Sequence, residues 1–209
     1  MSDDSTRVLL VASGALPAAY LPVWATVLSW ARGYDVRIVL SHGATSFVRA
    51  MPLSAITRHA VHGPGWSSDQ RRGAEHVELG AWPHVTVVWP ASLSFCAKLA
   101  ASFTEQLAVA VVAAATGPVV LCPSIPAPAV KRPGTRRVME QLHEDGYHLL
   151  GPVEGPGAAT RSQEAGSAVP FELVLPWIVE QRTKKNVTAD PPSVRPQTVA
   201  AADTSKEKP

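Results

Sequence analysis

Three short stretches carry the residue types that phosphate recognition needs. Ser13-Gly14-Ala15, Ser41-His42-Gly43-Ala44-Thr45 and Pro90-Ala91-Ser92-Leu93-Ser94 are small and hydroxylic, and each follows an apolar run. In an open α/β sheet, ligands lie beyond the carboxyl ends of strands, where backbone amides and helix N-termini can hold an anion. The same residues also make ordinary strand-to-helix turns, so both roles stay open. There is no Gly-x-Gly-x-x-Gly and no Walker loop, which argues against dinucleotides and nucleoside triphosphates. His76, in Glu75-His76-Val77-Glu78-Leu79, has an imidazole able to accept a proton near neutrality. For any one of seven histidines, a solvated or core-satisfied role is the commoner one. His59 and His62 stand three apart with no acidic or cysteine partner near in sequence, so they read as a solvated pair rather than a metal site.

The elements that must position these groups follow from the hydrophobic pattern. Residues 7–13 form a continuous apolar run, as expected of a central parallel strand buried on both faces. Residues 18–32 have helical spacing and stop before Gly33, residues 34–40 are a second strand, and a short helix begins over 46–51. Residues 52–73 read as loop around Gly63-Pro64-Gly65. Residues 85–89 are a strand, followed by one long helix in which Leu99, Phe103, Leu107 and Val111 recur every fourth residue as a core stripe. Residues 118–122 are another buried strand, 135–145 a helix stopped by Gly146, and 148–150 a last strand. Residues 151–168, rich in Gly, Ala, Ser and Pro, read as a flexible loop. Over 170–179, Phe171, Leu173, Leu175 and Trp177 alternate and are expected to dock on the core or on a neighbouring subunit. The order βαβα predicts a doubly wound parallel sheet of Rossmann-like, flavodoxin-like type.

A chain of 209 residues, 46% hydrophobic and 17% charged, suits one globular α/β domain with a polar tail beyond it. A formal net charge of +2 with scattered basic pairs gives no support for nucleic acid. No stretch reaches membrane-spanning length, and the first residues are too acidic and the apolar run too brief for a signal peptide. Cys96 and Cys122 have no Cys-x-x-Cys spacing, so no disulfide framework or zinc knuckle is suggested, and a cytoplasmic setting is expected.

In this order, the segments resemble the homo-oligomeric flavin-containing Cys decarboxylases over about residues 7–152. His76-Val77-Glu78-Leu79, with Trp82 after it, is similar to that family's His-Ile-x-Leu motif. Pro90-Ala91-Ser92-Leu93-Ser94-Phe95, followed by Ala97-Lys98, resembles its Pro-Ala-Ser-Ala-Asn-Thr motif. Glu105-Gln106-Leu107 stands in the place of Asp-Asn-Leu, and Pro123-Ser124-Ile125-Pro126 in that of Pro-x-Met-Asn.

The resemblance implies a flavoprotein domain over 1–180 with a substrate clamp at about 151–168; the polar, Pro-containing tail over 181–209 is expected to be disordered. It implies FMN held by Gly14, Ala15, Ser41 and Gly43 and lined by Pro90, Ala91, Ser92 and Leu93. It further implies His76 as the base and substrate contacts from Ser94, Ser124, Ile125 and Pro126, in a homo-oligomer that is a trimer or a dodecamer of trimers. Ser94 and Pro126 replace two asparagines of the family pattern, so one amide becomes a hydroxyl and the other a residue without an N–H. The 151–168 loop lacks the cysteine that phosphopantothenoylcysteine decarboxylases place there. The expected activity is therefore oxidative decarboxylation of the C-terminal cysteine of a ribosomally made precursor peptide, giving an enethiol for aminovinyl-cysteine formation. The alternatives are phosphopantothenoylcysteine decarboxylation, in coenzyme A biosynthesis, and a catalytically silent partner subunit.

Overall fold

Strand β1 (Arg7–Ala12) runs up the middle of a five-stranded sheet because its side chains are apolar on both faces. Val8, Leu10 and Ala12 enter one core, and Leu9 and Val11 enter the other. Beside β1 lie β2 (Asp35–Leu40) and β3 (Val85–Ser92), and beyond β3 come β4 (Val119–Ser124) and the short edge strand β5 (His148–Leu149). All pairings are parallel in the order β2-β1-β3-β4-β5, the flavodoxin-like arrangement expected from the sequence. This computed structural model describes residues 5–66, 74–157 and 160–187.

The first crossover is helical, as its spacing predicts, but it is built in three pieces. A 3-10 turn (Leu16–Tyr20), helix α1 (Leu21–Thr26) and a π turn (Val27–Ala31) succeed one another, with a proline in the first turn of each of the first two. The short helix expected over 46–51 falls elsewhere. A 3-10 turn covers Gly43–Ser46, and α2 occupies Ala50–Thr57, starting after the extended Arg49 and placing Pro52 in its first turn, where a missing N–H costs nothing. Helix α3 spans Glu75–Ala81.

The long helix expected after β3 is in fact two, α4 (Leu93–Ala100) and α5 (Leu107–Ala113). Ser102 takes the left-handed conformation at φ 53°. Its N–H donates to Leu99 O, and that of Phe103 donates to Lys98 O, the paired bonds of a Schellman stop. Phe103 is thus 55% exposed rather than core, while Leu99, Leu107 and Val111 are buried. The next crossover, from β4 to β5, contains α6 (Ala127–Val130) and α7 (Pro133–Glu144), the latter ending before Gly146 at φ +88°.

Two further corrections concern the C-terminal third. The expected flexible loop over 151–168 contains an antiparallel hairpin, β6 (Val153–Pro156) and β7 (Gln163–Ser167). Its glycines serve close approach rather than flexibility: a Cβ on Gly166 would stand 2.1 Å from Ile125 O, and one on Gly155 would stand 2.7 Å from Ser167 Oγ. The expected alternation after Pro170 is a 3-10 turn (Phe171–Leu173) and then α8 (Val174–Val187). Phe171, Val174 and Ile178 are buried at helical spacing, whereas Leu173 is 57% exposed. Helix α8 continues past the point where the tail was expected to begin, and the tail from residue 188 onward lies outside the described residues.

The sheet carries α1, α2 and α8 on one face and α3, α4, α5 and α7 on the other. Phe171 closes the first face, stacked on Trp24 at 4.7 Å and edge-on to Trp89 at 5.3 Å. Among the described residues, no helix is long and apolar enough to cross a membrane.

Candidate functional site

The parallel sheet brings the three small-residue turns to one end, past the last residues of β1, β2 and β3. Ser41 N donates to Ala12 O at 2.9 Å and keeps the second turn against the first. The two turns then touch backbone to backbone: a Cβ added to Gly14 would lie 2.9 Å from Gly43 Cα, and one added to Gly43 would lie 3.0 Å from Gly14 Cα. Such an approach is what leaves amide groups accessible to an anion, and neither turn tolerates a side chain at the crossing. Ser41 is occupied locally, its carbonyl and hydroxyl accepting from Ala44 N at 3.1 and 3.3 Å. Ala15 N donates to Ser13 O at 2.9 Å, which rounds the first turn.

Ser13 joins the third turn to the first. Its N and Oγ both donate to Pro90 O, at 3.1 and 2.8 Å, and its Oγ accepts from Ser92 N at 2.6 Å. The Trp89–Pro90 peptide is cis, and the register between β3 and β4 shifts between Val88 and Ala91. Ala91 is buried, and Ser92 caps α4 by accepting from Phe95 N at 3.3 Å. Leu93 is half-buried and Ser94 exposed on the first turn of α4.

Ser124 ends β4 in register with Ser92, so the two residues are cross-strand neighbours. Pro126 is exposed, but Ile125 is 5% exposed and packs inward. Its N donates to Gly166 O at 2.7 Å, which seats the hairpin directly over the end of β4. The root of the hairpin is tied a second time, by Trp89 Nε1 donating to Val169 O at 2.8 Å. The segment expected to be a clamp therefore stands beside Ile125 as a structured hairpin.

His76 is the second residue of α3 and is half-buried. Its ring is edge-on to Trp66, with centroids 5.4 Å apart, and Trp66 Nε1 donates to Glu105 O at 3.0 Å. Glu105 also pairs with Lys98 at 2.5 Å, and the hydrogen bond from Lys98 holds its carboxyl below the ordinary range. No hydrogen bond or ring contact among the described residues joins His76 to the Gly14–Gly43 crossing or to the end of β3.

Two histidines have carboxylate partners that are distant in sequence. His59 Nε2 lies 2.6 Å from Asp35 Oδ1, and His62 Nδ1 lies 2.8 Å from Glu75 Oε1. These histidines are thus not the solvated pair that their spacing suggested. Each carboxylate comes from another element, so no local pattern announces it. Among the described residues no cluster suits a metal ion. Two cavities, of about 360 and 300 Å³, share His59 as a lining residue; the first also contains Asp35, at the start of β2, and neither is lined by the Gly14–Gly43 crossing.

Both cysteines are free and fully buried, Cys96 on α4 and Cys122 on β4. Burial pushes the Cys96 thiol up to about 12 and that of Cys122 higher still. At pH 8 the Cys96 thiolate fraction is then about one in ten thousand, too small for useful nucleophilicity. In a thiol titration with Ellman's reagent, neither cysteine should react in the native protein and both should react on unfolding. A fast-reacting native thiol would contradict the burial.

The sequence profile of the family described as Flavoprotein matches residues 1–182. Among curated proteins the chain is similar to the coenzyme A biosynthesis bifunctional protein CoaBC of Bacillus subtilis (strain 168). The two are 26% identical over 152 residues, 73% of this chain and 37% of that protein. With CoaBC of Escherichia coli it is 26% identical over 179 residues, 86% of this chain and 42% of that protein. The chain thus spans roughly two fifths of the length of these curated relatives. Among solved structures it is similar to the FMN-dependent cysteine decarboxylase SpaF, with a TM-score of 0.71 and 28% identity, covering 85% of this chain and 97% of that one. A PPC decarboxylase variant complexed with pantothenoylaminoethenethiol gives a TM-score of 0.73 at 23% identity, covering 87% and 99%, a likeness of fold.

Proposed function

This chain belongs to the Flavoprotein family, and from that premise we propose that it is an FMN-dependent cysteine decarboxylase acting on the C-terminal cysteine of a ribosomally made precursor peptide. The observation that carries the cofactor is the crossing of Gly14 and Gly43, a cradle that a single Cβ would fill. Gly14, Ala15, Ser41 and Gly43 hold the phosphate there, and Pro90, Ala91, Ser92 and Leu93 form the adjoining wall. Bound FMN would supply a two-electron acceptor for the hydride leaving the cysteine Cβ, so that the resulting C=S takes up the electron pair released as the carboxylate departs as carbon dioxide. His76 accepts the thiol proton on a ring nitrogen. Ser94 offers one hydroxyl donor to the substrate carboxylate, while Pro126 offers none and can only shape the site.

The peptide is favoured over phosphopantothenoylcysteine because no cysteine stands in the hairpin segment, and both thiols are locked in the core. The likeness to SpaF, an FMN-dependent cysteine decarboxylase, is in line with this reading. The likeness to CoaBC supports the second reading, phosphopantothenoylcysteine decarboxylation. A homo-oligomer is also proposed. Leu16, Tyr20 and Val23 are 51%, 61% and 55% exposed beside the cradle turn, and within one chain no hydrogen bond or ring contact among the described residues joins His76 to that turn. A neighbouring copy would cover the first feature and complete the second.

The test is the visible spectrum of the purified protein, with mass identification of whatever it releases on denaturation, followed by turnover of both substrates. Released FMN, and a C-terminal-cysteine peptide made lighter by carbon dioxide and two hydrogens, are the expected results. A colourless protein that takes up no added FMN would sink the proposal. Turnover of phosphopantothenoylcysteine in place of the peptide would move the assignment to the second reading.

A further inference from the structure

Helix α3, which carries His76, has little of its own to hold it. It is seven residues long, and Ala74 at its N-cap supplies no side-chain bond. A helix this short depends on tertiary contacts for its existence and its phase. At its start that contact is Glu75, the first residue of the helix and 8% exposed, whose Oε1 accepts from His62 Nδ1 at 2.8 Å. A carboxylate in the first turn also suits the local helix dipole.

His62 is itself fixed by main chain. Its N donates to Ile38 O and its O accepts from Leu40 N, both at 2.9 Å, which adds one parallel bridge beyond the edge of β2. The next residue, Gly63, has φ +83°, and a Cβ there would lie 2.2 Å from Leu40 O, so this segment cannot slide along the strand. A continuous line of bonds therefore runs from the β2 edge through His62 and Glu75 to the residue bearing the imidazole. The charged and titratable groups sharing the cavity with the pair are Arg37, His59 and Glu78.

We propose that His62 and Glu75 are a positioning pair for His76. The pair fixes the first turn of α3 against the sheet edge, so that the imidazole is presented at one angle beside Trp66, and neither residue touches substrate or cofactor. This rests on the assignment of His76 as the base. Misplacement of a reacting group by about 1 Å costs on the order of a hundredfold in rate, whereas substrate affinity depends on other contacts.

The test uses the full chain loaded with FMN and a C-terminal-cysteine peptide. Glu75→Ala and His62→Ala should each lower kcat about ten- to a hundredfold, with KM and FMN content within about twofold of the parent. Glu75→Gln, which keeps an acceptor for His62, should recover most of the loss. The double alanine variant should lose no more than either single one, because the two residues act as a unit. Unchanged kcat, additive losses, or a joint loss of FMN and kcat would overturn the proposal. A second readout does not need turnover: the rate of His76 carbethoxylation by diethyl pyrocarbonate, followed by mass mapping. It should change severalfold in both alanine variants and stay at the parent value in Glu75→Gln. An unaltered rate in the alanine variants overturns the pair even where no decarboxylation is found, and a parent that fails to turn over peptide while its alanine variants show the altered rate separates the fate of this inference from that of the activity.

Discussion

Exchanging His76 for asparagine should abolish carbon dioxide loss from a C-terminal-cysteine peptide while FMN stays bound. The expected fall in kcat is on the order of a thousandfold, within the ordinary range for removal of a general base. Asparagine is close to histidine in size and polar, so it can sit beside Trp66 without a buried void, and the half-buried site makes folding defects small. FMN content should be unchanged because no hydrogen bond or ring contact among the described residues joins His76 to the Gly14–Gly43 crossing, and the exchange keeps a polar side chain of similar size. The check is single-turnover decarboxylation alongside the visible spectrum. A variant that keeps more than about a tenth of the parent rate rules out His76 as the proton acceptor. A parent and variant that are equally inert, with FMN bound in both, would instead point to a silent subunit.

Gly14→Ala should have its effect at the other half of the site. The added methyl meets Gly43 Cα at 2.9 Å, its carbonyl carbon at 3.0 Å and its oxygen at 3.2 Å, all of them backbone atoms that cannot rotate aside. The turns after β1 and β2 must then separate, and a cradle that works by close approach of amides is widened. We expect FMN affinity to fall about a hundredfold and unfolding free energy by about 1 to 3 kcal/mol, the usual cost of overpacking. Gly65→Ala is the control, since nothing among the described residues lies within 4 Å of its added Cβ. Flavin fluorescence titration and urea unfolding measure both quantities. Retention of parent FMN affinity in Gly14→Ala would remove the crossing from the cofactor site.

What the sequence made legible was whatever depends on local pattern. Strand β1 is a run buried on both faces, β2 an apolar stretch broken by Asp35 and Arg37, and their order with the intervening helix implies a parallel sheet. The turns at Gly14, Gly43 and Ser92 were legible because a parallel sheet must send them to one end. Failures came where local pattern and tertiary contact disagree. Ser102 and Phe103 carry no break signal, and the fourfold spacing from Leu99 to Val111 spans two helices by coincidence of loop length. Gly155 and Gly166 look like loop residues, yet they are glycines because Ser167 and Ile125 press against them. Asp35 is 24 residues from His59, and Glu75 is 13 residues from His62. Pairings of that range are set by the fold, so spacing gives no sign of them.

The hairpin has a consequence for how such a protein can diverge. Its root is held twice, by the Trp89 indole on Val169 O and by Ile125 N on Gly166 O, and on the hairpin's side both bonds use carbonyl oxygens that survive most side-chain replacements within it. Its outer part is exposed at Thr160, Arg161, Ser162 and Gln163 and makes no demand on the core. Under the proposed function, length and sequence at that tip can change without disturbing the core or the Gly14–Gly43 crossing. The fold would then let substrate choice be inherited separately from the chemistry.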